Sequence, residues 1–182
     1  GGTLNLNSGS VTQDGNSQML LTGGDAGLGI TTPGNVGGSG GTLNMLGGTY
    51  TLNDSATLDL RGGAGTNGNA DGNAGTIDVQ TGDFNLNGGE VFAGTILHPG
   101  TGGFNFQGGT LHVETFDGDL TQLGGTLAPG QSPGITDVTG LYQMNGGTLE
   151  IDILSGGVSP TAGVDFDQLT ANSAVLSGST LD

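Results

Sequence analysis

The chain lacks cysteine, lysine and tryptophan, and Arg61 is its only strong cation. Without cysteine, disulfides and thiolate metal sites are excluded. One Arg against 17 Asp and Glu residues gives a net charge of −16. Nucleic acids and anionic membrane surfaces need a basic footprint, so neither is an expected partner. No apolar run approaches the roughly 20 residues of a membrane-spanning helix, so no membrane insertion is expected in this segment.

The given sequence starts at Gly1 and does not open with the basic stretch followed by an apolar one that is typical of a signal segment. We interpret the sequence as a processed chain or as an excised piece of a longer one. Glycine is abundant instead, with 42 residues beside 5 prolines. Together they make up about a quarter of the chain, a composition at which disorder has to be weighed against folding.

The most frequent pattern is a Gly-Gly-Thr-Leu-like tetrapeptide. Its copies lie at 1–4, 40–43, 47–50, 88–91, 108–111, 124–127 and 146–149, with near copies at 74–77 and 178–181. A turn plus a short strand that recurs in this way indicates a stacked repeat protein.

Apolar and polar residues alternate after most of these glycine pairs. Leu111 and Val113, for example, have the opposite parity to His112 and Glu114. A period of two predicts half-buried strands and not helices. The glycine pairs predict tight corners, because glycine accepts positive φ and close backbone approach. Outward Thr and Asn side chains are expected to form ladders between strands.

The spacing of the repeats distinguishes between β architectures. Equivalent residues at 90, 110, 126 and 148 are 20, 16 and 22 apart, whereas an antiparallel meander recurs about every 8–12 residues. We therefore predict an all-β parallel β-helix (β-solenoid) with short strands and Gly-rich corners, as one segment over residues 1–182. Residues 23–41 and 62–75 are predicted to be Gly-rich insertions that loop out of the coils. An antiparallel β-sandwich and a disordered chain are the alternatives.

The second half of the chain carries a more specific signature. It consists of GGTLAPG-x-SPG at 124–134, V-x-G-x-Y at 138–142, GGTLEI at 146–151 and DQL at 167–169. Over residues 103–182 the chain resembles the autotransporter-associated β-strand repeats of autotransporter passengers and related exported bacterial surface proteins. The resemblance implies a parallel β-helix at the cell surface, with adhesive or structural work, and it names no catalytic residues.

One segment has the spacing of a metal site. Asn67, Asn69, Asp71 and Asn73, followed by Asp78, match a calcium loop, in which oxygen ligands at alternate positions surround a sharp turn at a glycine. Only two of the five side chains are carboxylates, so a solvated Gly/Asn loop is the competing interpretation. Calcium is the only cofactor that the sequence suggests.

The remaining candidates for chemistry are interpreted as ordinary surface groups. Asp165 and Asp167 flank Phe166, and we predict that both carboxylates are solvated. Paired carboxylates can cleave glycosidic bonds, but nothing beside them completes such a site. His98 and His112 are likewise predicted to be surface histidines.

The repeat, the resemblance and the shortage of catalytic groups favour a non-enzymatic, extracellular or cell-surface protein with a structural or adhesive role. Unpaired coil edges predict end-to-end stacking into a fibre, or continuation in a longer solenoid. The alternative is a carbohydrate-binding or carbohydrate-active β-helix that recognises a surface glycan.

Overall fold

The computed structural model describes residues 1–27, 35–154, 158–177 and 180–181. Within these ranges the regular structure consists of strands alone, as dense glycine and a period of two require. The strands are β1 (Thr3–Leu6), β2 (Ser10–Gln13), β3 (Gln18–Leu20), β4 (Thr42–Met45), β5 (Thr49–Leu52), β6 (Thr57–Asp59), β7 (Thr76–Val79), β8 (Asp83–Leu86), β9 (Glu90–Leu97), β10 (Gly103–Phe106), β11 (Thr110–Asp117), β12 (Leu120–Gln122), β13 (Thr126–Pro129), β14 (Ile135–Met144), β15 (Thr148–Leu149), β16 (Gln168–Leu176) and β17 (Thr180–Leu181).

The strands stack in register into three parallel sheets, here called faces A, B and C. Long strands turn a corner and serve two faces: residues 90–92 of β9 pair with β6, whereas residues 95–97 pair with β7. Face A contains β1, β4, β7, the second halves of β9 and β11, and the first halves of β14 and β16. Face B contains β2, β5, β8, β10, β12 and the second halves of β14 and β16. Face C contains β3, β6, the first halves of β9 and β11, β13, β15 and β17.

One strand from each face makes one coil, and the coils follow one another along a common axis. Residues that stack in neighbouring coils are 16 to 22 positions apart in the middle of the chain. They are 34 or 39 positions apart where an excursion lengthens the coil. The prediction of a parallel β-solenoid is confirmed, and the antiparallel β-sandwich is wrong for the described strands.

The core is a narrow column of inward side chains, each in van der Waals reach of its counterpart one coil away, about 4.8 Å along the axis. Fully buried ladders run along face A (Leu43, Ile77, Ile96, Phe116 and Val138) and along face C (Leu58, Val91, Leu111 and Leu127). On face B the rings of Tyr50, Phe84 and Phe104 stack at 5.3 Å spacing in nearly parallel planes. Each fully buried side chain of this kind contributes about 1.5–3 kcal/mol.

Two buried tyrosines place a hydroxyl inside this apolar column, and each is matched by a buried glutamine in the preceding coil. Tyr142 Oη donates to Gln122 Oε1 at 2.6 Å, and Gln122 Nε2 donates to the carbonyl oxygen of Thr148 at 3.0 Å. Tyr50 donates to Gln13 in the same way near the start of the chain. Burial raises the pKa of Tyr142 to about 12. The hydroxyl therefore stays protonated, as a donor, over the whole physiological range.

Five of the seven glycine pairs form corners with a positive φ, as predicted. The second glycine of each of five pairs has a positive φ, between 71° and 86°: Gly48, Gly89, Gly109, Gly125 and Gly147. A Cβ at Gly125 would lie 2.5 Å from the carbonyl oxygen of Gly109 in the coil below. Both the backbone conformation and the space therefore require glycine at this corner.

The described parts of the two Gly-rich stretches leave the coils between β3 and β4 and between β6 and β7, and they pair with each other. Residues 28–34 of the first predicted insertion lie outside the described residues. We call residues 21–27, 35–41 and 60–75 the glycine raft. Backbone hydrogen bonds connect its segments: Gly38 N donates to Gly24 O, Gly63 N to Gly38 O and Gly72 N to Gly63 O, at 2.8–2.9 Å. A Cβ at Gly63 would lie 2.1 Å from a backbone oxygen, so the segments approach this closely only because side chains are missing.

Candidate functional site

The outer surface of face C carries a stack of unlike side chains at one position of the repeat. Asp59, Phe92 and His112 occupy equivalent positions in three successive coils. The imidazole of His112 lies parallel to the ring of Phe92, with centroids 4.5 Å apart. The guanidinium carbon of Arg61 lies 4.3 Å from the centroid of the Phe92 ring. Arg61, Phe92 and His112 thus form a continuous cation–π and π–π stack along the coil axis.

Arg61 is held in place by the carboxylate of Asp59. Its Nε lies 3.0 Å from both carboxylate oxygens, and its Nη2 donates to Asp59 Oδ2 at 2.6 Å. Asp59 is only 5% exposed. Burial alone would raise the pKa of Asp59, but the hydrogen bonds and the charge of Arg61 outweigh burial and hold this pKa below its ordinary value. The only strong cation of the chain therefore neutralises a buried carboxylate.

His112 is half-buried against this stack. Burial lowers its pKa below the ordinary value, and the negative charges of Glu90 and Glu150 oppose the shift only in part. Its Nδ1 is buried without a hydrogen-bond partner among the described residues. A neutral imidazole that packs as an aromatic ring fits these surroundings better than an imidazolium.

A polar groove lies between the glycine raft and the outer surface of face C. We call it the Arg61 groove. Its volume is about 520 Å³, and its walls come from β6 and the residues after it, from both excursions of the raft, and from the loop that follows β13. The lining residues are Thr22, Gly23, Gly24, Asp25, Asp59, Arg61, Gly62, Gly63, Ala64, Asp71 and Gln131.

The groove presents both donors and acceptors that the described residues leave unused. Asp25 Oδ1 accepts from Ala64 N and Asp71 Oδ1 accepts from Gly65 N, each at 2.8 Å, so the Oδ2 atom of each carboxylate is open. Arg61 Nη1 and the amide of Gln131 make no hydrogen bond within the described ranges. Arg61 keeps 43% of its side-chain surface exposed.

The five residues of the predicted calcium loop lie on a hairpin and on the strand that follows it. Asn67 lies at the turn of a hairpin, with a φ of 54° followed by Gly68 at 78°, and Asn69 N donates back to Thr66 O at 3.1 Å. Asp78 lies beyond the base of the hairpin, in β7.

The other members of this set make hydrogen bonds inside the fold, but Asp78 Oδ1 is buried without a partner among the described residues. Asp71 supports the hairpin through Gly65, and Asn73 accepts from Gly40 N with its carbonyl oxygen at 2.8 Å. Asp78 Oδ2 accepts from Gln80 Nε2 at 2.7 Å. Asp71 alone of the five contributes to the Arg61 groove. Within the described ranges, no three side chains of the His, Cys, Asp or Glu type come together as a set of metal ligands.

Asp167, which we predicted to be solvated, is buried with 3% exposure, so that prediction is wrong. Its Oδ1 accepts from Gly134 N at 2.6 Å and its Oδ2 accepts from Asp152 N at 2.9 Å. Ser132 Oγ also approaches this carboxylate, at 3.4 Å. The carboxylate of Asp167 thus accepts a hydrogen bond from the backbone of the SPG corner at 132–134. Because Asp167 is the first residue of the DQL motif, this contact connects the two motifs across neighbouring coils.

Outward amides form ladders between coils, as expected from the repeat. On face B, Asn105 Nδ2 donates to Asn85 Oδ1 at 2.8 Å, and Asn85 Nδ2 donates to Thr51 Oγ1 at 3.3 Å. At a corner, Asn87 Nδ2 donates to Asn53 Oδ1 at 3.0 Å. His98 is also engaged locally, because its Nε2 lies 2.7 Å from the carbonyl oxygen of Gly102.

Sequence reasoning missed the Arg61 groove and the Phe92–His112 stack. Both depend on which residues lie above one another, and that register depends on the length of each excursion. One signal was available: Asp59, Phe92 and His112 are each the third residue of a repeat strand, and these strands start at Thr57, Glu90 and Thr110.

Comparison with known proteins found no matching family model, no matching curated protein and no matching solved structure. In the described part of the chain, no helix has the length and apolar character needed to cross a membrane.

Proposed function

We propose that this chain is a non-enzymatic, structural or adhesive segment of an exported surface protein, at the cell surface or outside the cell. The observation that carries the proposal is the uninterrupted three-faced stack. Each inner strand is paired on both sides, so the chain is a stiff rod whose length is set by the number of coils. The resemblance of residues 103–182 to autotransporter-passenger repeats supports the same role.

The outer surface also supports a structural role. Polar side chains that could serve a reaction are bonded to the neighbouring coil, as in the ladders through Asn53, Asn85 and Asn105. Asp59 and Asp167, the buried carboxylates, neutralise Arg61 and cap backbone amides. These groups stabilise the rod and leave little free for acid–base chemistry.

We also propose that the coil stack continues beyond the described coils, on a longer solenoid or on a second copy of the chain. Within the described residues, β1, β2 and β3 are paired on one side only. A free parallel edge of this kind offers unpaired backbone groups to another coil.

Two experiments test this function. An antibody against the chain should label intact source cells, and labelling only after permeabilisation would contradict a surface location.

Deletion of residues 95–114 removes one coil of 20 residues and joins Gly94 to Thr115, a residue that stacks directly on Thr95. The shortened protein should keep its parallel-β circular dichroism and its surface display, because a rod tolerates loss of a unit. Loss of folding would refute the modular rod.

The second candidate function is recognition of carbohydrate, and the Arg61 groove is the observation that favours it. The groove volume of about 520 Å³ lies within the usual range for ligand sites.

A further inference from the structure

The geometry points to the Arg61 groove as a binding site for neutral, hydroxyl-rich ligands, namely short oligosaccharides or the exposed segment of an uncharged glycan. This inference deepens the second candidate function, on which it rests, and it does not depend on the structural role of the rod. It rests on the mixed lining of the groove, its net charge and the rigidity of its walls.

The lining matches hydroxyl groups better than ions. Each sugar hydroxyl both donates and accepts a hydrogen bond. The groove offers open acceptors at Asp25 Oδ2 and Asp71 Oδ2, and open donors at Arg61 Nη1 and the Gln131 amide. A ligand with only acceptors would leave the carboxylates unmatched, and a ligand with only donors would leave Arg61 and the Gln131 amide hydrogens unmatched.

Charge and hydrogen-bond balance disfavour the two ionic classes of ligand. Three carboxylates and one guanidinium line the groove, in a chain with a net charge of −16. Phosphates, sulfates and uronic acids would therefore be repelled on approach. A basic ligand would be attracted by the carboxylates, but it would offer no acceptor to Arg61 Nη1 or to the Gln131 amide hydrogens. An uncharged polyol can match both kinds of group.

The walls are also preformed. Arg61 is fixed by hydrogen bonds to Asp59 and by the Phe92 ring at 4.3 Å. Asp25 and Asp71 are each fixed by a backbone amide of the raft. Binding would therefore immobilise few side chains, which reduces its entropic cost. Glycines at 23, 24, 62 and 63 keep the wall free of side chains, so a ligand can reach the backbone.

The test uses the whole chain and two variants that spare the core. Gln131→Ala removes an exposed amide without other partners, and Asp71→Asn keeps the Oδ1 acceptor for Gly65 while changing Oδ2 into a donor. The matched control is Gln107→Ala, since Gln107 is also exposed but lies outside the groove. Circular dichroism and thermal unfolding establish that all variants are folded.

Binding is measured by isothermal calorimetry against neutral tri- to pentasaccharides chosen from a glycan array, with sulfated forms of the same sugars for comparison. We expect binding of at least one neutral oligosaccharide, weaker binding of its sulfated form, and a threefold to tenfold loss of affinity, roughly one hydrogen bond, in Gln131→Ala and Asp71→Asn. The Gln107→Ala variant should bind like the parent.

Three results would overturn the inference. They are no binding of any neutral oligosaccharide at millimolar concentration, tighter binding of sulfated forms, or unchanged affinity in both groove variants while the parent binds.

Discussion

Replacing Tyr142 with phenylalanine tests the claim that the buried Tyr–Gln pairs hold successive coils together. Tyr142 Oη donates to Gln122 Oε1 at 2.6 Å, and both side chains are fully buried. The variant removes one oxygen atom and leaves the Gln122 acceptor without a partner in a dry interior. An unsatisfied buried polar group costs about 1–3 kcal/mol, so we expect a loss of unfolding free energy of that size.

A double-mutant cycle separates the hydrogen bond from general damage to the core. In the ladder through Gln122, the neighbours one coil away are Phe106 and Met144, so methionine is a shape-compatible replacement. The variant Gln122→Met strands the Tyr142 hydroxyl, whereas the double variant removes both ends of the bond. Adding Tyr142→Phe to Gln122→Met should therefore cost less than adding it to the parent, with a coupling of about 0.5–3 kcal/mol.

The assay is urea unfolding followed by circular dichroism, combined with hydrogen exchange at the backbone amides of β12 and β14, which carry Gln122 and Tyr142. The comparison requires equal m values, because coil repeats can unfold in parts. Tyr50→Phe is the matched variant near the start of the chain. Its partner Gln13 keeps 6% exposure, so water can replace the lost hydrogen bond, and the loss of unfolding free energy should be smaller. The reasoning is refuted if Tyr142→Phe unfolds at the same urea concentration as the parent, or if the two substitutions are additive.

Three further predictions follow from the same structure. Gly125→Ala should destabilise the protein by more than about 1–2 kcal/mol, which is the cost of a left-handed backbone alone, because the new Cβ would also meet the backbone of the neighbouring coil. Gly9 has a positive φ but open space around it, so Gly9→Ala should show only the backbone cost. Equal losses of unfolding free energy in urea would contradict the close approach at Gly125. Phe84→Ala should cost about 3–5 kcal/mol, because it opens the middle of the aromatic stack, and a near-neutral unfolding curve would refute tight packing there. His112→Phe should remove the loss of stability that His112 causes on acidification. The pKa of His112 is lower in the folded than in the unfolded state, so the unfolded state binds the proton first. The free energy of unfolding of the parent should therefore fall as pH drops below the ordinary histidine pKa of about 6.5. Parallel stability curves for parent and variant between neutral and mildly acidic pH would contradict this last expectation.

The amino-acid sequence by itself determined the fold class. Alternation in segments such as 110–113 fixed which side chains point inward, because strand geometry forces a period of two. The glycine pairs fixed the corners, because few other residues accept their positive φ. Spacings near 20 residues fixed parallel stacking, because an antiparallel hairpin closes in far fewer.

Only the tertiary structure decided which residues meet across coils. The register brings Arg61, Phe92 and His112 into one stack although they lie far apart in the chain. The raft joins 21–27 and 35–41 with 60–75, a pairing that depends on backbone contacts and leaves no pattern in side chains. For the same reason local patterns did not predict the hairpin at Asn67 and Gly68, or the burial of Asp167 against the backbone of Gly134. Local patterns encode the direction of a side chain, whereas a site between coils is encoded in the lengths of the segments that connect them.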